Sequence, residues 1–250
     1  MRAALKHLKK DPVLAGILKQ AGPFAMQYRD PTFDTLVRSI VSQQLSGRVA
    51  SVIFGRLLAA VSKAHRPPGR HQTEAEQTPK CRLGEPDHGR RPQQSLSQLS
   101  STRVCASGHA SSLAELTPAG IMKLRIPRMR KLGLSAQKTL YIRELAKHTR
   151  KGTVVFETLP GMADADVIQH LTQVKGIGVW TAQMFLMFAL RREDVLPVAD
   201  LGIRSAMKKA WTLPDLPKPP EMEQIAAAWR PYRSIASWYL WRYLDGPAEL

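Results

Sequence analysis

Apolar positions along the chain recur every three or four residues, the spacing of helices with one buried face. Leu14, Ile17 and Leu18 make one stripe; Phe33, Leu36, Val37, Ile40 and Val41 a second; Val49, Val52, Ile53, Leu57 and Leu58 a third. The rhythm stops near His65 and resumes near Pro118 with Ile121, Leu124 and Ile126. Leu132-Gly133-Leu134-Ser135 then reads as a helix end, a turn and an N-cap. Pro160 and Asp164 mark another start, Val167, Ile168, Leu171 and Val174 supply its stripe, and a further helix runs through Thr181, Ala182, Phe185, Leu186, Phe188 and Ala189. Three blocks follow: helices over 1–62, an irregular or disordered insertion over 63–115, and helices again over 116–250, with a helical hairpin at 164–190.

Residues 65–112 carry almost no apolar side chain and follow neither period, so they are expected to add nothing to a core. They hold both cysteines, Cys81 and Cys105, and four of the seven histidines, His65, His71, His88 and His109. Zinc modules need a close Cys-x2-Cys pair, which is missing, so no metal is expected. Two cysteines also supply neither a disulfide scaffold nor an iron–sulfur cluster. Deleting this segment should leave melting temperature and activity nearly unchanged.

The 250 residues carry a formal net charge of +17. The insertion accounts for +3 of it, leaving +14 on the parts expected to fold. A polyanionic partner follows, because every neutralised phosphate releases counterions. Nucleic acid leads, and an anionic membrane surface is second. Residues 118–151 concentrate ten Lys/Arg against one acid, Glu144, as a candidate phosphate-facing surface or a solvated charged face. No apolar run is long enough to span a membrane, and the amino terminus lacks a secretory pattern. A cytoplasmic, nucleoid-associated or nuclear location is expected, not a secreted one.

The chemistry concentrates in Leu171–Leu190, where Lys175-Gly176-Ile177-Gly178 separates two helices and Trp180 follows at once. Each glycine permits positive φ and leaves its amide uncovered, and amides at a helix start bind anions. A dinucleotide fingerprint fails because no strand precedes the glycines and the third glycine position is Thr181; a phosphate-binding loop lacks its Gly-Lys-Ser/Thr. Asp164 and Asp166 lack the glycine and glutamate of a calcium loop, which leaves them as helix caps. A short glycine hairpin in a basic helical chain suits gripping a DNA backbone without reading sequence.

V-K-G-I-G-V-W-T-A at 174–182 and D-V-L-P-V-A-D-L-G-I-R at 194–204 resemble the helix-hairpin-helix DNA glycosylase superfamily, in particular its alkylpurine branch of the 3-methyladenine DNA glycosylase II type. D-P-T-F-D-T-L-V-R-S-I-V-S-Q-Q-L-S at 30–46 and L-G-L-S-A-Q-K at 132–138 resemble the same branch. The resemblance implies an all-α fold of two helical subdomains with the active site in the cleft between them. The amino-terminal helices would return to pack on the carboxy-terminal ones.

It also implies roles. Asp200 becomes the catalytic carboxylate, although by position alone an aspartate at a helix start is more often an N-cap. Trp180, Met184 and Trp241 become the base pocket, the two indoles favouring a cationic alkylated purine by stacking and cation–π attraction. Lys175, Gly176, Gly178, Thr181 and Lys138 become DNA contacts, and Gln44, in the turn Ser42-Gln43-Gln44-Leu45, the wedge that fills the gap left by the extruded base. Strand-cutting members carry a Schiff-base lysine where this chain has Trp180, so a monofunctional glycosylase is implied. Trp229 and Tyr243 are read as core. The expected partner is double-stranded DNA with damaged bases, bound by a monomer, with no membrane and no cofactor. Two alternatives stay open: a non-enzymatic DNA-binding protein in which Asp200 is only a cap, and a glycosylase for oxidised or deaminated bases.

Overall fold

A computed structural model describes residues 1–65 and 115–245. The insertion read over 63–115 lies almost entirely outside the described residues, as do Cys81, Cys105, His88 and His109. Every regular element among the described residues is helical. In chain order these are α1 (Arg2–Leu8), α2 (Pro12–Ala21), α3 (Phe33–Ser42), α4 (Gly47–His65), α5 (Pro118–Lys123), α6 (Ile126–Lys131), α7 (Ala136–Arg150), α8 (Asp164–Thr172), α9 (Val179–Phe188), α10 (Leu201–Ala210), α11 (Pro219–Ala226) and α12 (Arg233–Asp245).

Short polar residues set the helix starts. Asp11 caps α2 through the amides of Val13 and Leu14 (2.9 and 3.1 Å), with Pro12 at the first helical position. Ser135 caps α7 through the Lys138 amide at 3.1 Å, after Gly133 closes the previous turn at φ 104°. Asp164 does not cap α8: that place falls to Ala163, and Asp164 opens the first turn instead, facing Arg192 at 3.1 Å. The acids there oppose the positive end of the helix dipole, which needs no cap geometry.

The apolar stripes build two cores. The first joins α3, α4, α5, α7, α8 and α9, with Leu36, Val37, Ile40 and Val41 of α3 sealed inside. Each such side chain contributes about 1.5–3 kcal/mol on leaving water. The second joins α1 and α2 to α10, α11 and α12 around Trp229, so the two ends of the chain fold as one unit. Phe24, Trp238 and Trp241 touch both cores. Two stripes depart from the expected pattern: Ile126 is exposed beside buried Ile121 and Leu124, and in α4 Ile53 and Leu57 are buried, but Val49 and Val52 are 45% and 49% exposed. Val52 points about 100° away from Ile53 around the helix, and Val49 sits in the first turn of α4 beside exposed Leu45.

Candidate active site

The hairpin between α8 and α9 forms because one glycine is conformationally required and the other leaves space. Gly176 has φ 99°, and a Cβ there would overlap the ring of Tyr141, which packs against it. Gly178 departs from expectation: its φ of −91° is open to any residue. It caps α9 with no side chain, and nothing lies within 4 Å of where its Cβ would be. The first amides of α9 therefore keep no side-chain partner and an open approach. Lys175 is exposed beside them and makes no ion pair among the described residues.

A cleft of about 930 Å³ runs along α9. Trp180, Met184, Phe185 and Phe188 form its apolar wall; Thr35, Arg38, Ser39 and Ser42 of α3 form the polar wall opposite, with Gln43, Gln44 and Lys138 at the hairpin end. Arg29, Arg38 and Lys138 are its charged lining residues, with no acid among them. Burial and the neighbouring Arg29 guanidinium push the Arg38 pKa down, Asp34 opposing them.

Most polar groups here are already engaged. Gln43 Nε2 donates to the Gly176 carbonyl (3.2 Å) and to Thr181 Oγ1 (3.4 Å), tying α3 to the hairpin. Lys138 Nζ donates to the carbonyls of Val41 (2.7 Å) and Gln43 (2.6 Å), and burial holds its pKa below the usual lysine value. Two of the expected DNA contacts carry internal hydrogen bonds. Thr181 is 4% exposed with its hydroxyl facing Gln43, and Lys138 spends two of its three donors on the end of α3. Gln44 sits at the turn with φ 57°, exposed.

Asp200 is 9% exposed at the start of α10. Its Oδ1 accepts from the Ile203 amide (2.9 Å) and from Trp241 Nε1 (2.9 Å), and its Oδ2 accepts from Trp180 Nε1 (2.7 Å). One carboxylate therefore both caps α10 and bonds the indole that walls the cleft. The loop delivering it is fastened along its length. Asp194 accepts from Arg233 Nε (2.7 Å) and Nη2 (3.1 Å), the Val195 amide donates to Ser234 Oγ (2.9 Å), and Gln183 Nε2 reaches the Leu196 carbonyl (3.4 Å).

Trp180, 39% exposed, presents its ring to the cleft. Trp241 differs from expectation: it does not line the cleft, and its ring stacks on Phe188 (centroids 6.0 Å apart, planes at 23°) while its N–H reaches Asp200. Met184 lines the cleft one turn beyond Trp180. Sequence reasoning missed Gln43, Tyr141, Gln183 and Gly202. Gln43 alone carries a signal in the sequence, as the neighbour of Gln44 in the Gln-Gln pair. Among the described residues, no group of three His, Cys, Asp or Glu side chains is placed to hold a metal ion.

Residues 37–231 match the model of the HhH-GPD superfamily of base excision DNA repair proteins. The chain belongs to that superfamily. YfjP of Bacillus subtilis strain 168 is 38% identical over 128 residues, 51% of this chain and 45% of YfjP, so the chain spans about half the length of that relative. The crystal structure of a DNA-3-methyladenine glycosidase from Bacillus halodurans superposes with a TM-score of 0.66 at 29% identity, covering 94% of this chain and 86% of that one. The 3-methyladenine DNA glycosylase Mag1 of Schizosaccharomyces pombe, solved in complex with abasic DNA, superposes at 0.64 with 26% identity over 96% of this chain and 95% of that one. Within the superfamily model lie the hairpin, Asp200 and Arg38, Ser39 and Ser42 of the polar wall; Thr35 and Trp241 fall just beyond it.

Proposed function

We propose that this superfamily member is a monofunctional DNA glycosylase that extrudes an alkylated purine from double-stranded DNA and hydrolyses its N-glycosidic bond. The observation that carries the reading is the Asp200 carboxylate, largely buried, one hydrogen bond from the indole that walls the cleft. The similarity to the Bacillus halodurans and Schizosaccharomyces pombe enzymes supports the choice of base.

In this reading the amides at the start of α9 and the Lys175 ammonium grip a phosphate, and Gln44 enters the stack as the base leaves it. The purine lies against the face of Trp180, where an alkylated, electron-poor ring gains cation–π attraction. The C1′–N bond breaks with its electron pair leaving on the base. Positive charge grows on the sugar, and Asp200 stabilises it and orients the water whose oxygen bonds to C1′. The water's proton passes to the carboxylate or onward to solvent. A ring nitrogen that already bears an alkyl group makes the base a good leaving group, so little acid assistance is required. Trp180 stands where strand-cutting members place their Schiff-base lysine, and an indole N–H is no nucleophile, so the strand is left intact.

The enzyme would act as a monomer in the compartment that holds chromosomal DNA; no described helix is long and apolar enough to cross a membrane. The deciding experiment is base release from methylated duplex, scored as abasic sites, with Asp200→Asn as control. Release by the wild type and its loss in the variant is expected. Equal release in both would overturn the mechanism, and none in either would favour a DNA-binding module, the role to which the cap on Ile203 would by itself be suited.

A further inference from the structure

An aspartate carboxylate offers about four acceptor positions, two on each oxygen. At Asp200 three are filled: the Ile203 amide and Trp241 Nε1 share Oδ1, and Trp180 Nε1 takes one position on Oδ2. Oδ1 is therefore saturated. The one vacant acceptor position is on Oδ2, the oxygen bonded to the indole that lines the cleft.

We infer that Trp180 and Trp241 act through their N–H groups as positioning residues for Asp200, saturating Oδ1 and leaving Oδ2 as the oxygen that meets the sugar and the attacking water. This rests on the glycosylase reading and goes beyond it, because it gives the edges of both indoles a role that the ring faces do not supply. Trp241 is the clearer case. Its ring is stacked on Phe188, and its N–H reaches Asp200 Oδ1 at 2.9 Å. Gly202 makes the approach possible: a Cβ there would lie 3.0 Å from Asp200 Oδ1 and 3.1 Å from Trp241 Cδ1, tighter than side chains normally pack. Trp180 combines two duties. Fixing its edge on Oδ2 fixes the plane of its ring, so a base stacked on that face and the oxygen beside the sugar are held by the same side chain.

The test separates edge from face. Phenylalanine keeps an aromatic ring and removes the N–H, so Trp241→Phe and Trp180→Phe should each slow single-turnover base release about tenfold, the scale of a hydrogen bond to a charged group. Affinity for an abasic-site duplex should stay within about threefold, because no phosphate contact is touched. Gly202→Ala, which alters no functional group, should slow release severalfold at unchanged affinity. A second readout is independent of activity. The five tryptophans give five indole N–H signals in a ¹H–¹⁵N spectrum, and Asp200→Asn should move those of Trp180 and Trp241 while Trp229, bonded to Asp11, stays in place. Full release rates in both phenylalanine variants, or unmoved indole signals in Asp200→Asn, would overturn the inference while leaving the glycosylase reading intact. Responsive signals in a wild-type protein that releases no base would do the opposite.

Discussion

Asp11 and Asp200 are the same local device used in two places. Each is the N-cap of a ten-residue helix, and each receives an indole N–H besides the helix amides it caps: Trp229 Nε1 on Asp11 Oδ2 at 3.0 Å, Trp180 and Trp241 on Asp200. Around Asp11 the indole is wholly buried, so the cluster ends in packed core. Around Asp200 one indole opens onto a cleft beside free helix amides and a basic wall. What separates a structural aspartate from a reactive one here is therefore neither the residue nor its cap. It is whether the indole's other side faces core or open space.

The strongest way to break this comparison is to neutralise both carboxylates without changing their shape. Asp200→Asn should reduce single-turnover base release about 10²- to 10³-fold, as expected when a fixed electrostatic stabiliser is lost. Asp11→Asn should leave release within about twofold, since Asp11 lies in no step of the proposed chemistry. Comparable losses in the two variants, read from abasic-site yield, would mean that both act only on the fold.

Two stability measurements sharpen the other side. Trp229→Phe removes ring volume from a fully buried position and leaves Asp11 Oδ2 without its donor, which should cost about 2 kcal/mol in denaturant unfolding. Asp11→Ala removes the cap of α2 and leaves the buried Trp229 N–H without its acceptor, which should together cost about 2 kcal/mol. Neither should change the rate of base release by the folded protein. A rate loss in Trp229→Phe at saturating DNA would show that the second core transmits to the cleft.

Much of this contrast was legible in the sequence, because helix stripes and caps are local. The runs through α3 and α9, the Gly133–Ser135 turn and the glycine corner follow from spacing and backbone preference alone. Asp200 was named by resemblance and placed by capping, but its indole partners were not assigned as donors. Trp180 and Trp241 lie 20 and 41 residues from it, and no period in a sequence encodes which edge of a ring meets a distant carboxylate. The same limit explains Lys138 and Thr181. A lysine in a basic helix and a threonine at a hairpin read as phosphate contacts until the end of α3 arrives beside them, carrying carbonyls and Gln43 that must be paired. Gly178 shows the converse, since the sequence shows a glycine without showing whether conformation or clearance requires it.

The smallest expected effect tests whether the corner at Gly176–Gly178 faces DNA at all. Lys175 is exposed and unpaired among the described residues, so Lys175→Ala has no packing to lose and its melting temperature should be unchanged. If its ammonium meets a phosphate, duplex affinity should fall about threefold near physiological salt, and the slope of log K against log salt should shrink by about 0.9, one phosphate's worth of released counterions. The loss should be equal for undamaged and methylated duplex, because a phosphate contact carries no information about the base. Asp11→Asn, far from this surface in role, serves as the control whose salt slope stays at the wild-type value. An unchanged slope in Lys175→Ala would move the duplex off the hairpin and toward another basic surface, such as the one spread over α6 and α7.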